Sequence, residues 1–190
     1  MVIIAQVDLV SAAPYSQSRP HDTPHLEQET HEQYRDRTWR EYLHYDATGE
    51  VFIPPMAIKN CLTLAAKRLG MKVKGRGSKT YSQFFASGIL CMEPVMLGIK
   101  KQDIEGEKLF LPADGKAGSG SRVYKMYPLI KSWKGTAIVH ILDGAITENV
   151  FELHLAEAGK YIGLGRFRPE RNGFYGRFGV DGAVRYDKQS

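Results

Sequence analysis

Residues 161–178 read YIGLGRFRPERNGFYGRF, in which four glycines, four arginines and five aromatics leave Glu170 as the only acid. A segment so rich in glycine packs poorly, and one so positive cannot be buried without partners. If it opens as a strand over 161–167 with Leu164 facing inward, then Gly163, Gly165 and Phe167 share the other face. Each glycine weakens a strand interior, so such a patch implies that something approaches the backbone closely, either a sugar-phosphate chain or another subunit. Arg166, Arg168, Arg171 and Arg177 supply planar forks that suit phosphate oxygens. Phe167, Phe174, Tyr175 and Phe178 supply surfaces on which bases stack. The same residues also fit a plainer assignment, with glycines in turns, aromatics in the core and arginines in solvent.

The remaining elements are spaced around this segment. VIIAQVDLV near the N-terminus is short, β-branched and continuously apolar at its start, the pattern of a central strand buried there on both faces. Residues 11–48 form a long insertion whose early prolines and many charges resist a packed element, with a solvated helix over 29–43. A short strand then ends at Pro54 and Pro55, and a proline in the first helical turn loses no hydrogen bond. Ile58, Leu62, Ala65 and Leu69 make one apolar stripe on the helix that follows, and Gly70 caps it. KVKGRGSKTYSQFFASG reads as a basic, glycine-punctuated loop, and ILCMEPVMLGI as a broken strand with Pro94 at an edge or bulge.

KLFLP and VYKMYPLI flank a small, polar tip over 114–121, which predicts a protruding hairpin over about 107–130. GTAIVHILDG alternates as a strand. A helix follows, N-capped by Thr147, with Val150, Phe151, His154 and Ala158 on one face and Gly159 at its end. Without the insertions the order is strand, helix, strand, strand, helix, strand. That predicts an α+β fold, a ferredoxin-like βαββαβ palm with an antiparallel sheet covered on one face and a glycine-rich loop over 163–179. With 190 residues, one domain is expected.

Lysine and arginine number 26 against 21 aspartates and glutamates, a net charge of +5 that favours a polyanionic partner. Two further loops join the first in combining glycine with base: KVKGRGSK, with Lys72, Lys74, Arg76 and Lys79, and GKAGSGSRVYK, with Lys116, Arg122 and Lys125. Three such loops on one small domain predict a track for a flexible single-stranded nucleic acid. Cys61 and Cys91 lack metal-ligand or redox spacing and read as free thiols in a reducing compartment. No stretch reaches the ~20 apolar residues that span a bilayer, so a soluble cytoplasmic protein with no membrane partner is expected.

No cofactor or metal is expected. His21, His25, His31 and His44 match no ligand spacing and read as solvated loop residues, while His140 and His154 read as residues of the fold. No nucleophile elbow, phosphate-binding loop or dinucleotide fingerprint occurs, so catalysis is not expected. Asp22, Asp36 and Asp46 are the carboxylates that would serve an RNA-cleaving alternative.

The initial strand, the long insertion, VFIPPMAIKNCLTLAAKRL in the place of the family's IPGSSLKGALR helix entry, and YIGLGRFRPERNGFYGRF in the place of its glycine-rich loop resemble the RAMP superfamily of CRISPR-associated proteins. Within it, the likeness is to the repeated backbone subunit. The resemblance runs in order along most of the chain, which is shorter than most backbone subunits and has Pro-Pro where the family usually has Pro-Gly. It implies an RRM-like palm with a hairpin thumb and a non-catalytic subunit that oligomerises along CRISPR RNA as a ribonucleoprotein filament in antiviral defence. It further implies guide contacts from Lys59, Gly163, Gly165 and Arg166, and other effector subunits as partners. The two departures leave room for a stand-alone or virus-encoded relative that coats single-stranded RNA or DNA. Other classes stay open: a single-stranded DNA-binding or annealing protein, a metal-dependent RAMP endoribonuclease, and a structural oligomer whose basic face meets an acidic neighbour.

Overall fold

The computed structural model describes residues 2–115, 118 and 120–189. In chain order the elements are β1 (Val2–Ser11), α1 (His31–Thr38), β2 (Glu50–Ile53), α2 (Pro55–Leu69), α3 (Tyr81–Gly88), β3 (Ile89–Leu90), β4 (Val95–Lys100), β5 (Glu105–Pro112), β6 (Arg122–Leu129), β7 (Lys134–Ile141), α4 (Glu148–Glu157), β8 (Phe178–Val180) and β9 (Arg185–Gln189). The fold is α+β.

β1 is the centre of the main sheet. It pairs antiparallel with β7 along one edge, from Ile3 opposite Ile141 to Val10 opposite Lys134. Its other edge is shared by β9, opposite Val2 to Gln6, and β8, opposite Leu9 to Ser11. With β3 on the outer side of β7, the order is β3-β7-β1-β8. Ala5, Val7 and Leu9 are buried, whereas Ile4 and Asp8 are only half-buried and Gln6 is exposed. β1 is therefore buried on one face rather than on both, and its alternation follows the pleat.

The covered face packs on α2 and α4. α2 begins at Pro55 with Pro54 as N-cap, and ends where Gly70 takes φ 58° in the left-handed region. It buries Ile58, Cys61, Leu62, Ala65 and Ala66, while α4 buries Phe151, His154 and Leu155. The hydroxyl of Thr147 caps α4 by accepting from the Val150 N–H. Burial of each large side chain in this layer contributes roughly 1.5–3 kcal/mol.

Two small antiparallel pairs complete the architecture. β2 pairs with β4, and β5 pairs with β6 in unbroken register from Glu105 opposite Leu129 to Pro112 opposite Arg122. Lys116, Ala117 and Ser119 of the hairpin tip lie outside the described residues.

Several expectations need correction. Residues 161–167 are not a strand: Gly163 and Gly165 adopt φ of 73° and 70° in place of the negative φ of a regular strand. The outer strands of that edge come from residues further on, β8 and β9. α4 does not stop at Gly159 but continues as a wider π-type turn over Ala158–Ile162. Gly159 is glycine because the Phe178 carbonyl occupies the space of a Cβ. The stretch expected as a loop after α2 contains α3, whose Tyr81 and Phe85 reach the core. β3 and β4, expected as one broken strand, lie in separate sheets.

The insertion is also less solvated than its composition suggests. Tyr15 and Ile130 exchange backbone hydrogen bonds of 2.8 Å, and buried Gln17 donates to the Phe52 carbonyl and accepts from His44 N–H. α1 starts in a reciprocal cap, with Gln33 N–H donating to Thr30 Oγ1 and Thr30 N–H to Gln33 Oε1. After it, a tight turn over Trp39–Tyr42 buries Trp39 beneath the hairpin, where Gly106 lacks the Cβ that would meet the indole.

Candidate nucleic-acid interface

The glycine-rich segment folds on itself. Gly165, with positive φ, lies where a Cβ would run into the Ser16 carbonyl, and Gly176 where one would run into Leu164. The close approach that these glycines permit is by the chain's own backbone: Arg166 N–H donates to Ser16 O at 2.9 Å and Leu164 N–H to Gly176 O at 2.9 Å. The bare strand face inferred from sequence is absent, and Leu164 is buried within the loop's anchor.

What the loop presents outward is Arg166, Phe167 and Phe174. The Arg166 guanidinium carbon sits 3.1 Å from the ring centroid of Tyr127 on β6 and 4.4 Å from that of Phe167. Burial pulls the pKa of Arg166 down, opposed by Tyr127, Tyr42 and Glu107, and its buried Nη1 has no hydrogen-bond partner among the described residues. Phe167 holds φ 48°, uncommon for a bulky residue, and its carbonyl accepts from Tyr175 N–H at 2.9 Å. Tyr175 in turn donates to the Glu107 carboxylate on β5, and burial together with that bond pushes its pKa up to about 12. Loop and hairpin are thus locked together by one ring-cation stack and one charge-assisted hydrogen bond.

Between them opens a cavity of about 360 Å³ lined by Phe110, Arg122, Lys125, Tyr127, Arg166 and Phe167. Lys125 and Tyr127 also line a second cavity of about 400 Å³, whose far wall comes from the insertion through His25, His31, Tyr34 and Arg35. The two cavities are neighbours along the hairpin, share Lys125 and Tyr127 in their walls, and are both basic and ring-lined. Phe110 and Tyr124, with centroids 5.0 Å apart, are half exposed beside it.

The structure separates the remaining sequence-predicted residues. Gly163, Gly165 and Arg168 line a different cleft of about 370 Å³, between the start of α2 and the glycine loop, where Arg19 and His44 join them. Arg168 donates to the Gly165 carbonyl and pairs with Glu170 at 3.0 Å, and Arg171 pairs with the same carboxylate. Arg177 donates to the Lys160 and Phe174 carbonyls, so its fork holds the loop. Lys59 stands half-buried on α2, near enough to Cys91 to oppose the burial that pushes that thiol up to about 12. Lys72, Lys74, Arg76 and Lys79 are exposed on the turn between α2 and α3 and line neither cleft. Lys116 lies outside the described residues.

Sequence reasoning missed the insertion's part in the hairpin cleft. His25 stacks on Tyr34 at 3.8 Å, His21 meets Tyr42 at 5.0 Å, and Tyr42 stacks on Tyr127 at 5.3 Å. The available signal was the recurrence of histidine and tyrosine through 21–45 in an otherwise charged stretch. Asp46, considered for cleavage chemistry, uses one carboxylate oxygen to accept from Thr48 N–H, Thr48 hydroxyl and Glu50 N–H, a turn-forming role. No helix among the described residues is long and apolar enough to cross a membrane.

No family model and no curated protein matches the sequence. Among solved structures, a chain of the type III-B Cmr-beta bound to cognate target RNA aligns at a TM-score of 0.54 and 10% identity, covering 98% of this chain and 61% of that one. Cmr6 from Pyrococcus furiosus aligns at a TM-score of 0.48 and 14% identity, covering 95% and 99%. The chain spans about three-fifths of the length of the first of these. Its fold is similar to that of a chain of the type III-B CRISPR effector Cmr-beta.

Proposed function

We propose that this protein is a non-catalytic, single-stranded RNA-binding subunit of a CRISPR-associated ribonucleoprotein, oligomerising along the strand. The observation that carries this is the pair of neighbouring cavities along the hairpin, one facing the insertion and one facing the glycine loop, whose walls combine Arg35, Arg122, Lys125 and Arg166 with Tyr34, Tyr127 and Phe167. Cations attract the phosphates and rings accept the bases, the combination that single-strand binders use. The sheet order β3-β7-β1-β8, with α2 and α4 on one face, supports a ferredoxin-like palm that carries the hairpin as a thumb. A neighbour of similar fold comes from a Cmr-beta complex bound to cognate target RNA, which supports RNA over DNA.

The exposed cations Lys72, Lys74, Arg76 and Lys79 then form a second anionic contact, toward a continuing strand or another subunit. Isolation of the protein from its cells followed by separate RNase and DNase digestion of copurifying nucleic acid tests this function. Material destroyed by RNase alone is expected. Nucleic acid destroyed by DNase alone points to the DNA-binding alternative, and cleavage of labelled RNA that is lost in Asp22→Ala or Asp36→Ala contradicts the non-catalytic role.

A further inference from the structure

We propose that the cavity between α1 and β6 is a nucleobase pocket that selects guanine at one position of the bound strand, an inference that rests on the RNA-binding function above. Its walls are largely rings set before any ligand arrives. His25 lies on Tyr34 with planes 14° apart, and Tyr42 lies on Tyr127 with planes 29° apart. His21 ties the two stacks together, 6.2 Å from Tyr34 and 5.0 Å from Tyr42. Tyr34 is pinned by its hydroxyl, which donates to the Thr23 carbonyl at 2.7 Å. Ring walls that are already ordered cost little entropy to engage, but every base has a π face, so stacking alone gives affinity without choice.

The choice comes from the polar groups. Arg35 donates through Nε to the His31 carbonyl at 2.9 Å, which fixes the plane of its guanidinium, and no hydrogen bond among the described residues takes its terminal amino groups. Lys125 gives one proton to the Ala113 carbonyl at 3.0 Å, and no other hydrogen bond among the described residues takes the remaining two. No aspartate or glutamate lines the cavity among the described residues. The charged side chains of the wall are therefore all donors, and they match a base edge made of acceptors. Guanine presents O6 and N7 side by side, adenine sets an amino donor beside N7, and cytosine turns an amino donor outward. A phosphate also satisfies donors but gains nothing from two stacked ring pairs.

Fluorescence anisotropy of the full chain with a short oligouridylate, and with the same strand carrying a single central guanosine, adenosine or cytidine, tests the pocket. Guanosine is expected to tighten binding by about tenfold, and the other two by little. Arg35→Lys keeps the charge but loses the fork, so it should abolish the guanosine preference, costing the guanosine strand about tenfold more affinity than it costs oligouridylate. Circular dichroism of the variant confirms its fold, and Tyr34→Ala, as a second probe, should weaken every strand. Equal binding of all strands by the wild type overturns the pocket and leaves RNA binding intact, whereas no binding of any strand overturns both. A guanosine preference that survives Arg35→Lys overturns it too. So does an equal loss for all strands in that variant, which assigns Arg35 to a phosphate.

Discussion

The guanidinium carbon of Arg166 lies 3.1 Å from the centre of the Tyr127 ring, joining the glycine-rich loop to the hairpin through a half-buried cation. The stack leaves Nη1 buried and without a hydrogen-bond partner among the described residues, a costly arrangement. Since that nitrogen is closed off from solvent, any contact to a phosphate or base falls to the rest of the fork.

Arg166→Lys therefore separates charge from shape. Lysine keeps the positive charge but neither stacks flat on Tyr127 nor presents a fork. Affinity for single-stranded RNA should fall by about tenfold, and loss of the stack should lower the thermal midpoint modestly. Anisotropy and thermal melts read the two quantities, and an unchanged affinity would remove Arg166 from the interface.

Gly165→Ala probes the loop's fold. Gly165 has φ 70°, and its missing Cβ would meet the Ser16 carbonyl and the Tyr15 ring. The added methyl has to displace backbone, so a loss of about 2 kcal/mol or more in denaturant unfolding is expected. A neutral outcome would show that the loop does not seat on residues 15 and 16 as described.

The parts of the fold written locally were legible. Pro54, Pro55 and Gly70 delimit α2, Thr147 opens α4, and strict alternation marks β7, because caps and pleats depend on near neighbours. The glycine-rich segment misled because Gly163 and Gly165 fit both a weakened strand and a left-handed turn. What decides between them is the Ser16 carbonyl, far away in sequence. The ring-lined wall was hidden for the same reason. Tyr42 and Tyr127 meet only when the insertion lies along β6, and no periodicity within residues 11–48 announces that contact. α3 was obscured by the basic turn before it, although Tyr81 and Phe85 carry helical spacing.

His154 gives a pH signature. It is fully buried, stacked 4.3 Å from Phe85, with Nδ1 2.6 Å from the Val150 carbonyl and Nε2 without a hydrogen-bond partner among the described residues. Burial pulls its pKa below the ordinary 6.5. A base whose folded pKa is lowered binds its proton more readily when unfolded, so stability present above 6.5 is lost as pH falls through and below that value. His154→Phe keeps the ring and removes both the orphan nitrogen and the titration. Its thermal midpoint should match or exceed the wild type at pH 7.5 and exceed it by more at pH 5.5, and parallel losses in both proteins would exclude His154 as the source.

The cleft as an RNA site is tested most directly by the salt dependence of binding. Each phosphate neutralised by a protein cation releases counterions, and Arg122, Lys125 and Arg166 together predict a slope of log K against log salt of about −2 for a single strand. Replacing Arg122 and Lys125 together by glutamine should reduce the steepness to about −0.7. A wild-type slope near zero, or one that the double substitution leaves unchanged, would contradict the placement of the strand in this cleft.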